Sequence, residues 1–177
     1  NESNEWYEVT EIVIPDTITK IGNYQFYNFY SLKKIYYTGT IEDWCNISFG
    51  NSSSNPMNYA QHFYMLNESN EWYEVTEIVI PDTVTSIRSY QFGGFENITS
   101  VIIPDSVISI GRSAFHDCYF LTSIIIPDSV TSIGDYAFSY CSSLTNIDFS
   151  GTSDAWRKIS FGSNWKPSNL KTITCID

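Results

Sequence analysis

The sequence contains no stretch of about 18 apolar residues, so no helix in it is expected to span a bilayer. It has no run of five like charges, so its charge is spread over a surface and not held in a tail. Basic residues are scarce, with 9 Lys and Arg against 20 Asp and Glu and a formal net charge of −11. Such a field repels phosphate, which excludes nucleic acid and insertion into anionic membranes from the expected partners. Only two histidines occur, His62 and His116, and neither recurs with a Ser or Cys partner. No G-x-S-x-G, H-E-x-x-H or glycine-rich phosphate loop is present, so neither an enzyme nor a cofactor site is expected. The four cysteines, Cys45, Cys118, Cys141 and Cys175, form no CxxC and have no nearby His pair, which disfavours zinc; no metal site is expected. There is no initiator Met, and Asn1-Glu2-Ser3-Asn4 resembles neither a signal peptide nor a tag. The chain therefore reads as a segment of a longer array.

What the sequence has in abundance is itself. Residues 1–17 recur letter for letter at 67–83. A shorter period of 23 runs from Val75 (VTEIVIPDTVTSIRSYQFGGFEN) through Ile98 (ITSVIIPDSVISIGRSAFHDCYF) and Leu121 (LTSIIIPDSVTSIGDYAFSYCSS), with a further copy at Val9 (VTEIVIPDTITKIGNYQFYNFYS). A 23-residue period whose first six positions read L/V/I-x-x-I-x-I falls in the leucine-rich range. The apolar side chains of one such unit fall well short of the conformational entropy of ordering it, so units must stack and bury each other's flanks. Positions 4 and 6 share one face of a β-branched strand, and positions 3 and 5 share the other. Pro15, Pro81, Pro104 and Pro127 at position 7 lack an N–H and end each strand. A Val-x-x-Ile segment follows, then Gly22, Gly111 or Gly134 at position 14, then a one-turn helical piece such as Tyr136-Ala137-Phe138. The glycine implies either a positive φ or close approach of coils, and Arg88 in one copy means that a positive φ is not required or that this coil is strained.

Two Gly-Thr-x-x-x-Trp segments, at 39–50 and 151–162, interrupt the rhythm. Thr40 with Asp43 reads as an N-cap and capping box, with Thr152 a weaker version. Short helices are predicted near 41–47 and 153–159, with Trp44, Ile47, Trp156 and Ile159 facing inward. Strand patterns then return at Ala60-x-x-Phe63-x-Met65 and Leu170-x-x-Ile173-x-Cys175. Only nine residues separate Met65 from Val75, too few for a parallel crossover, so an antiparallel hairpin with its tip at 67–70 is predicted. Residues 1–8 would be the second strand of an identical hairpin. The organisation expected is one repeat domain over 1–177: repeats 9–31, 32–74 with insert and hairpin, 75–97, 98–120, 121–143, and 144–177 with insert.

The unit L-T-S-I-x-I-P-D-S-V-T-S-I-G-x-x-A-F-x-x-C at 121–141 closely resembles the BspA-like leucine-rich repeat family. The match is strong over 9–31 and 75–143 and looser at 32–37 and 144–149. The resemblance implies a right-handed, curved leucine-rich-repeat solenoid, β-rich α/β, with parallel strands and short helical turns. It also implies a surface-exposed or secreted bacterial protein associated with adhesion to host proteins or other cells. Two copies depart from the pattern, with Tyr-Gln-Phe at 24–26 and 90–92 in place of Ala-Phe.

Candidate binding residues lie on the outward positions of the strands, expected to form a concave face. Position 5 gives Val13, Tyr36, Val79, Ile102, Ile125 and Asp148. Position 3 includes Lys34, Glu77, Ser100, Ser123 and Asn146 beside Glu11. An apolar stripe edged by polar residues suits an extracellular or host protein partner, while β-propensity alone also explains it. Other readings stay open: a structural spacer array projecting another domain, or a glycan-binding element using Trp6, Trp72 or Trp165. Asp16, Asp82, Asp105 and Asp128 at position 8 are expected to accept hydrogen bonds from their own turns, with a calcium ladder the alternative. Cys118 and Cys141 share a repeat position and form either a buried thiol ladder or a disulfide. The Asn46-Ile47-Ser48 and Asn51-Ser52-Ser53 sequons matter only in a eukaryotic source.

Overall fold

The computed structural model describes residues 8–177. The strand expected from residues 1–8 falls, Glu8 excepted, outside them, as does Trp6.

The L/V/I-x-x-I-x-I segments form the strands of two mostly parallel sheets that follow one another along the chain. β1 (Glu11–Ile14), β3 (Lys34–Tyr37) and β5 (His62–Leu66) pair in parallel, and β6 (Trp72–Glu74) pairs antiparallel to β5. The expected hairpin is thus present, and Asn67 builds its turn by accepting the N–H groups of Ser69 and Glu71 at 2.9 Å on its side-chain oxygen. The chain leaves β6 and runs into β7 (Glu77–Val79), which begins the parallel ladder of β9 (Ser100–Ile102), β11 (Ser123–Ile126), β13 (Asn146–Phe149) and β15 (Thr172–Thr174). Position 7 stops each strand as anticipated: the prolines' carbonyls then close tight turns onto Ile18, Val84, Val107 and Val130 at 3.0–3.2 Å.

The Val-x-x-Ile segments form a second ladder that periodicity did not reveal. β8 (Ser86–Ile87), β10 (Ser109–Ile110), β12 (Ser132–Ile133) and β14 (Ser160–Phe161) pair in parallel, as do β2 (Lys20–Ile21) and β4 (Ser48–Phe49). Between the two ladders runs a shared apolar interior. In it Phe92, Phe115 and Phe138 stack at centroid spacings of 5.6 and 5.3 Å, nearly parallel. Cys118 and Cys141 are unbonded, fully buried thiols that donate to the carbonyls of Phe92 and Phe115 at 3.2 and 3.0 Å. Burial pushes the Cys118 thiol up, with the Cys141 thiol adding to the shift. Burial likewise pushes Cys45 up to about 12.

The Tyr136-Ala137-Phe138 piece is a turn rather than helical. Tyr90, Ser113 and Tyr136 at position 16, and Gly94, Asp117 and Tyr140 four residues on, all have φ between 50° and 78°. A right-handed helix cannot include them. Alternate N–H groups point sideways into the next coil: Ser113 to Asp135 and Phe115 to Ala137, both at 2.8 Å. The 98–120 coil makes three such lateral bonds, Ser113, Phe115 and Asp117 donating to Asp135, Ala137 and Ser139, and these offset the cost of the left-handed non-glycine residues.

Position 14 needs space and not a positive φ. A Cβ on Gly111 would lie 2.5 Å from the Ser89 nitrogen, and one on Gly134 2.6 Å from that of Arg112. Arg88 escapes because the coil before it carries the insert; its guanidinium reaches the Asn46 carbonyl at 2.8 Å. The expectation for position 8 is corrected. Among the described residues the four aspartate side chains make no hydrogen bond with their own turns. The backbone N–H groups of Asp16 and Asp128 instead donate to the Thr38 and Ser150 hydroxyls, one coil on.

The inserts differ in quality. α1 (Ile41–Asn46) has the full Thr40–Asp43 capping box and buries Trp44 completely. α2 (Ser153–Trp156) has only the Thr152 half of that cap and ends three residues before the expected 159. Ile47 and Ile159 are buried, while Trp156 is only half-buried.

Substituting Gly111→Ala forces coils apart and is expected to cost about 1–3 kcal/mol, whereas Arg88→Ala costs less than about 1 kcal/mol. Urea denaturation of both variants checks this, and equal losses would contradict the close-approach account.

Candidate functional site

The strand register decides which outward residues meet. Val79, Ile102, Ile125 and Asp148 occupy adjacent rungs, and Glu77, Ser100 and Ser123 form the row beside them. Val79, Ile102 and Ile125 are 58, 58 and 55 % exposed, so an unbroken aliphatic stripe faces solvent. Asn146 and Asp148 end it as a polar patch: the Asn146 side-chain amide donates to Asp148 at 2.8 Å, and its oxygen accepts from Thr172 and Thr174. On the other side of the hairpin, Val13, Tyr36 and Tyr64 form a second stripe, and Lys34 bridges to Glu11 at 2.8 Å. The hairpin therefore divides the predicted residues into two groups.

Beside the second stripe the structure gathers a cluster around Tyr36: it brings in Trp72, named from the sequence only as a glycan-contact candidate, together with Tyr64, Glu74 and Asn97, which were not named. Tyr36 stacks on Tyr64 at 5.0 Å, and Trp72 packs edge-on against Tyr36 at 5.0 Å with 42 % of its surface exposed. Beside them Nδ1 of His62 lies 2.7 Å from Glu74, and the Asn97 amide donates to the same carboxylate oxygen at 2.8 Å. An acceptor that close assigns the proton to Nδ1. Burial alone pushes the Glu74 carboxyl up, but the hydrogen bonds from His62 and Asn97 outweigh it and hold it below the ordinary value. Strand alternation was enough to find His62 and Tyr64, because Phe63 and Met65 point inward. Glu74 and Asn97 join only through the hairpin.

Of the tryptophans considered for glycan contact, Trp165 is packed on Phe161 at 4.6 Å and half-buried, so its face is taken. Among the described residues no group of three or more His, Cys, Asp or Glu is placed to hold a metal ion. Nor is any helix among them long and apolar enough to cross a membrane. The arrangement offers shape, apolar area and hydrogen bonds.

The sequence matches the family of BspA type leucine rich repeat regions in six copies, over residues 3–70 and 67–176. No curated protein is similar to it at a significant level. Among solved structures, the pneumococcal vaccine antigen PcpA is 16 % identical with a TM-score of 0.51, covering 95 % of this chain and 57 % of that one. A leucine-rich repeat protein from Eubacterium ventriosum is 27 % identical with a TM-score of 0.49, covering 81 % of this chain and 42 % of its own. The chain thus spans about half the length of these two proteins.

Because the folded-state Glu74 carboxyl lies below its unfolded value near 4.5, its stabilisation is complete above that pH and fades as the pH falls through the lower folded value. Glu74→Gln is expected to cost about 1 kcal/mol at neutral pH and less near about pH 3. Denaturation at both pH values measures it; an equal deficit at each would rule out the ionised network.

Proposed function

The chain belongs to the BspA-type leucine-rich repeat family, and from that membership we propose that it is a non-enzymatic binding module of a secreted or cell-surface protein. It engages an extracellular protein partner through the outward face of the long strand ladder. The observation that carries this is the exposed aliphatic stripe of Val79, Ile102 and Ile125 on one sheet, with the Tyr36–Tyr64–Trp72 cluster on the strands that precede it. Pairing in the ladders and burial in the interior already hold the coils together, and neither uses these side chains. Exposed contiguous apolar surface edged by polar groups is the usual mark of an interaction site. Tyr and Trp supply large contact area at little entropy cost, which is why they dominate binding hot spots. The rim of Lys34, Glu77, Ser100, Ser123, Asn146 and Asp148 provides orientation and specificity rather than strength.

Binding to a panel of immobilised extracellular host proteins, read by surface plasmon resonance, tests the proposal. Tyr36→Ala and Ile125→Lys should each weaken capture at least about tenfold while circular dichroism stays unchanged. Binding equal to that of the unaltered chain in both variants, or no binding to any panel member, would remove the assignment.

A further inference from the structure

The turn side of the coils carries tyrosines that the turn itself does not require. Tyr90, Ser113 and Tyr136 share position 16, with φ of 65°, 50° and 58°. Left-handed backbone is costly for a residue with a bulky side chain. Ser113 makes the same lateral bond without a ring, so packing between coils does not call for tyrosine there. Tyr90 and Tyr136 are both half-buried, and residues kept in such backbone cluster at binding sites.

The two tyrosines frame a gap. The Tyr90 N–H donates to the Arg112 carbonyl at 2.9 Å and the Ser113 N–H to the Asp135 carbonyl at 2.8 Å, so position 16 advances one coil at a time. Tyr90 and Tyr136 therefore stand two coils apart, about 10 Å, with the small Ser113 between them. The space over Ser113 and Gly93 is a cavity of about 260 Å³, which Asn58, Arg112 and His116 also line. It lies in mid-chain, bounded by described residues of the 51–58 loop and of three successive coils.

The polar groups around it are fixed, and they offer both donors and acceptors. The Arg112 guanidinium lies over the Tyr136 ring at 5.5 Å and 3.6 Å from the Asp135 carboxylate, a pair loose enough for both to bond elsewhere. Nδ1 of His116 is 2.7 Å from the Asp117 carboxylate, which assigns the proton to Nδ1 and leaves Nε2 as an acceptor. Tyr140 packs edge-on against the same imidazole at 5.2 Å. The Asn58 amide donates to the Ser52 carbonyl, which leaves the Asn58 side-chain oxygen as a further acceptor.

We propose that this cavity binds one neutral hexose unit of a glycan, at a site separate from the strand face. Its C–H face lies on Tyr90, and its hydroxyls bond to Arg112, Asp135, Asn58 and His116. Each sugar hydroxyl both donates and accepts, so a hexose can use a guanidinium, a carboxylate, an imidazole nitrogen and an amide oxygen together. Asp117 and Asp135 stand beside the cavity in a chain of net charge −11, which disfavours a sugar acid. The volume is below that of sites for drug-sized ligands and suits a single ring.

Nitrogen–proton correlation spectra of the 177-residue chain, titrated with the methyl glycosides of glucose, galactose, mannose and N-acetylglucosamine, test the site. Glucuronic acid is titrated in a separate arm. At least one neutral glycoside should shift the His116 amide signal with a Kd of about 1–10 mM, and glucuronic acid should bind at least about tenfold more weakly. Ser113→Tyr fills the gap with the residue that the adjacent coils carry at the same left-handed position. The fold should therefore hold, while binding weakens at least about thirtyfold. Arg112 is exposed, and Arg112→Ala should weaken binding about tenfold. No shift with any neutral glycoside up to about 100 mM, glucuronic acid bound as tightly, or either variant binding like the unaltered chain would each overturn the proposal.

Discussion

A strand that ends at a proline after three or four residues cannot satisfy its own backbone, and the hydrogen bond from one coil to the equivalent position on the next is what every other feature serves. It runs through the long ladder, the short ladder and the turn side alike. Side chains take the same direction. Thr99 and Thr122 hydroxyls donate to Thr76 and Thr99 carbonyls at 3.2 and 3.1 Å, and those of Ser106 and Ser129 to Val84 and Val107 at 2.8 and 2.7 Å. Small hydroxyl residues recur at these positions because each must lie within reach of the coil before it. Glycine at position 14 answers the same demand for closeness, and the buried thiols carry it into the core.

Since stacking consumes inward side chains and backbone groups, the outward strand positions are free to vary without cost to the fold. That freedom lets the strand face of a repeat scaffold change its specificity while the coils stay the same. The richest chemistry gathers where the rhythm breaks. The β5–β6 hairpin reverses one strand, and this brings Trp72 to Tyr36 and Glu74 to His62, pairs that a strictly parallel ladder would not form. The insert behind it is held by Trp44, which contacts Tyr37, Phe49, Phe63 and Phe95. A rigid anchor thus stands directly beneath the aromatic cluster.

How much of this could be read from the letters depends on the length over which a physical signal repeats. The long ladder, its proline stops, the capping box at Thr40 and the hairpin were all legible, because each rests on a local pattern or a loop too short for the alternative. The second ladder was not, since strands such as Ser109–Ile110 are two residues long and alternation over two positions carries no information. The left-handed turns were hidden for another reason: Tyr90, Ser113 and Tyr136 adopt them, and residue type gives no warning when glycine is not used. Asp16 and its equivalents looked like turn acceptors; the hydroxyls one coil on, Thr38 and Ser150, do that local work from outside. The Gln91 substitution was visible as a departure, but its partner Trp44 lies 47 residues away.

The central claim, that successive 23-residue units share one interior and pair rung by rung on both sides of it, is tested most directly by methyl–methyl nuclear Overhauser contacts in isoleucine-labelled protein. The registers Ile102–Ile125 and Ile110–Ile133 place parallel neighbours on adjacent strands of the two ladders, about 4.8 Å apart. Cross-peaks should connect both pairs. Ile102 and Ile125 without a contact, or Ile110 and Ile133 without one, would contradict the stacked coil.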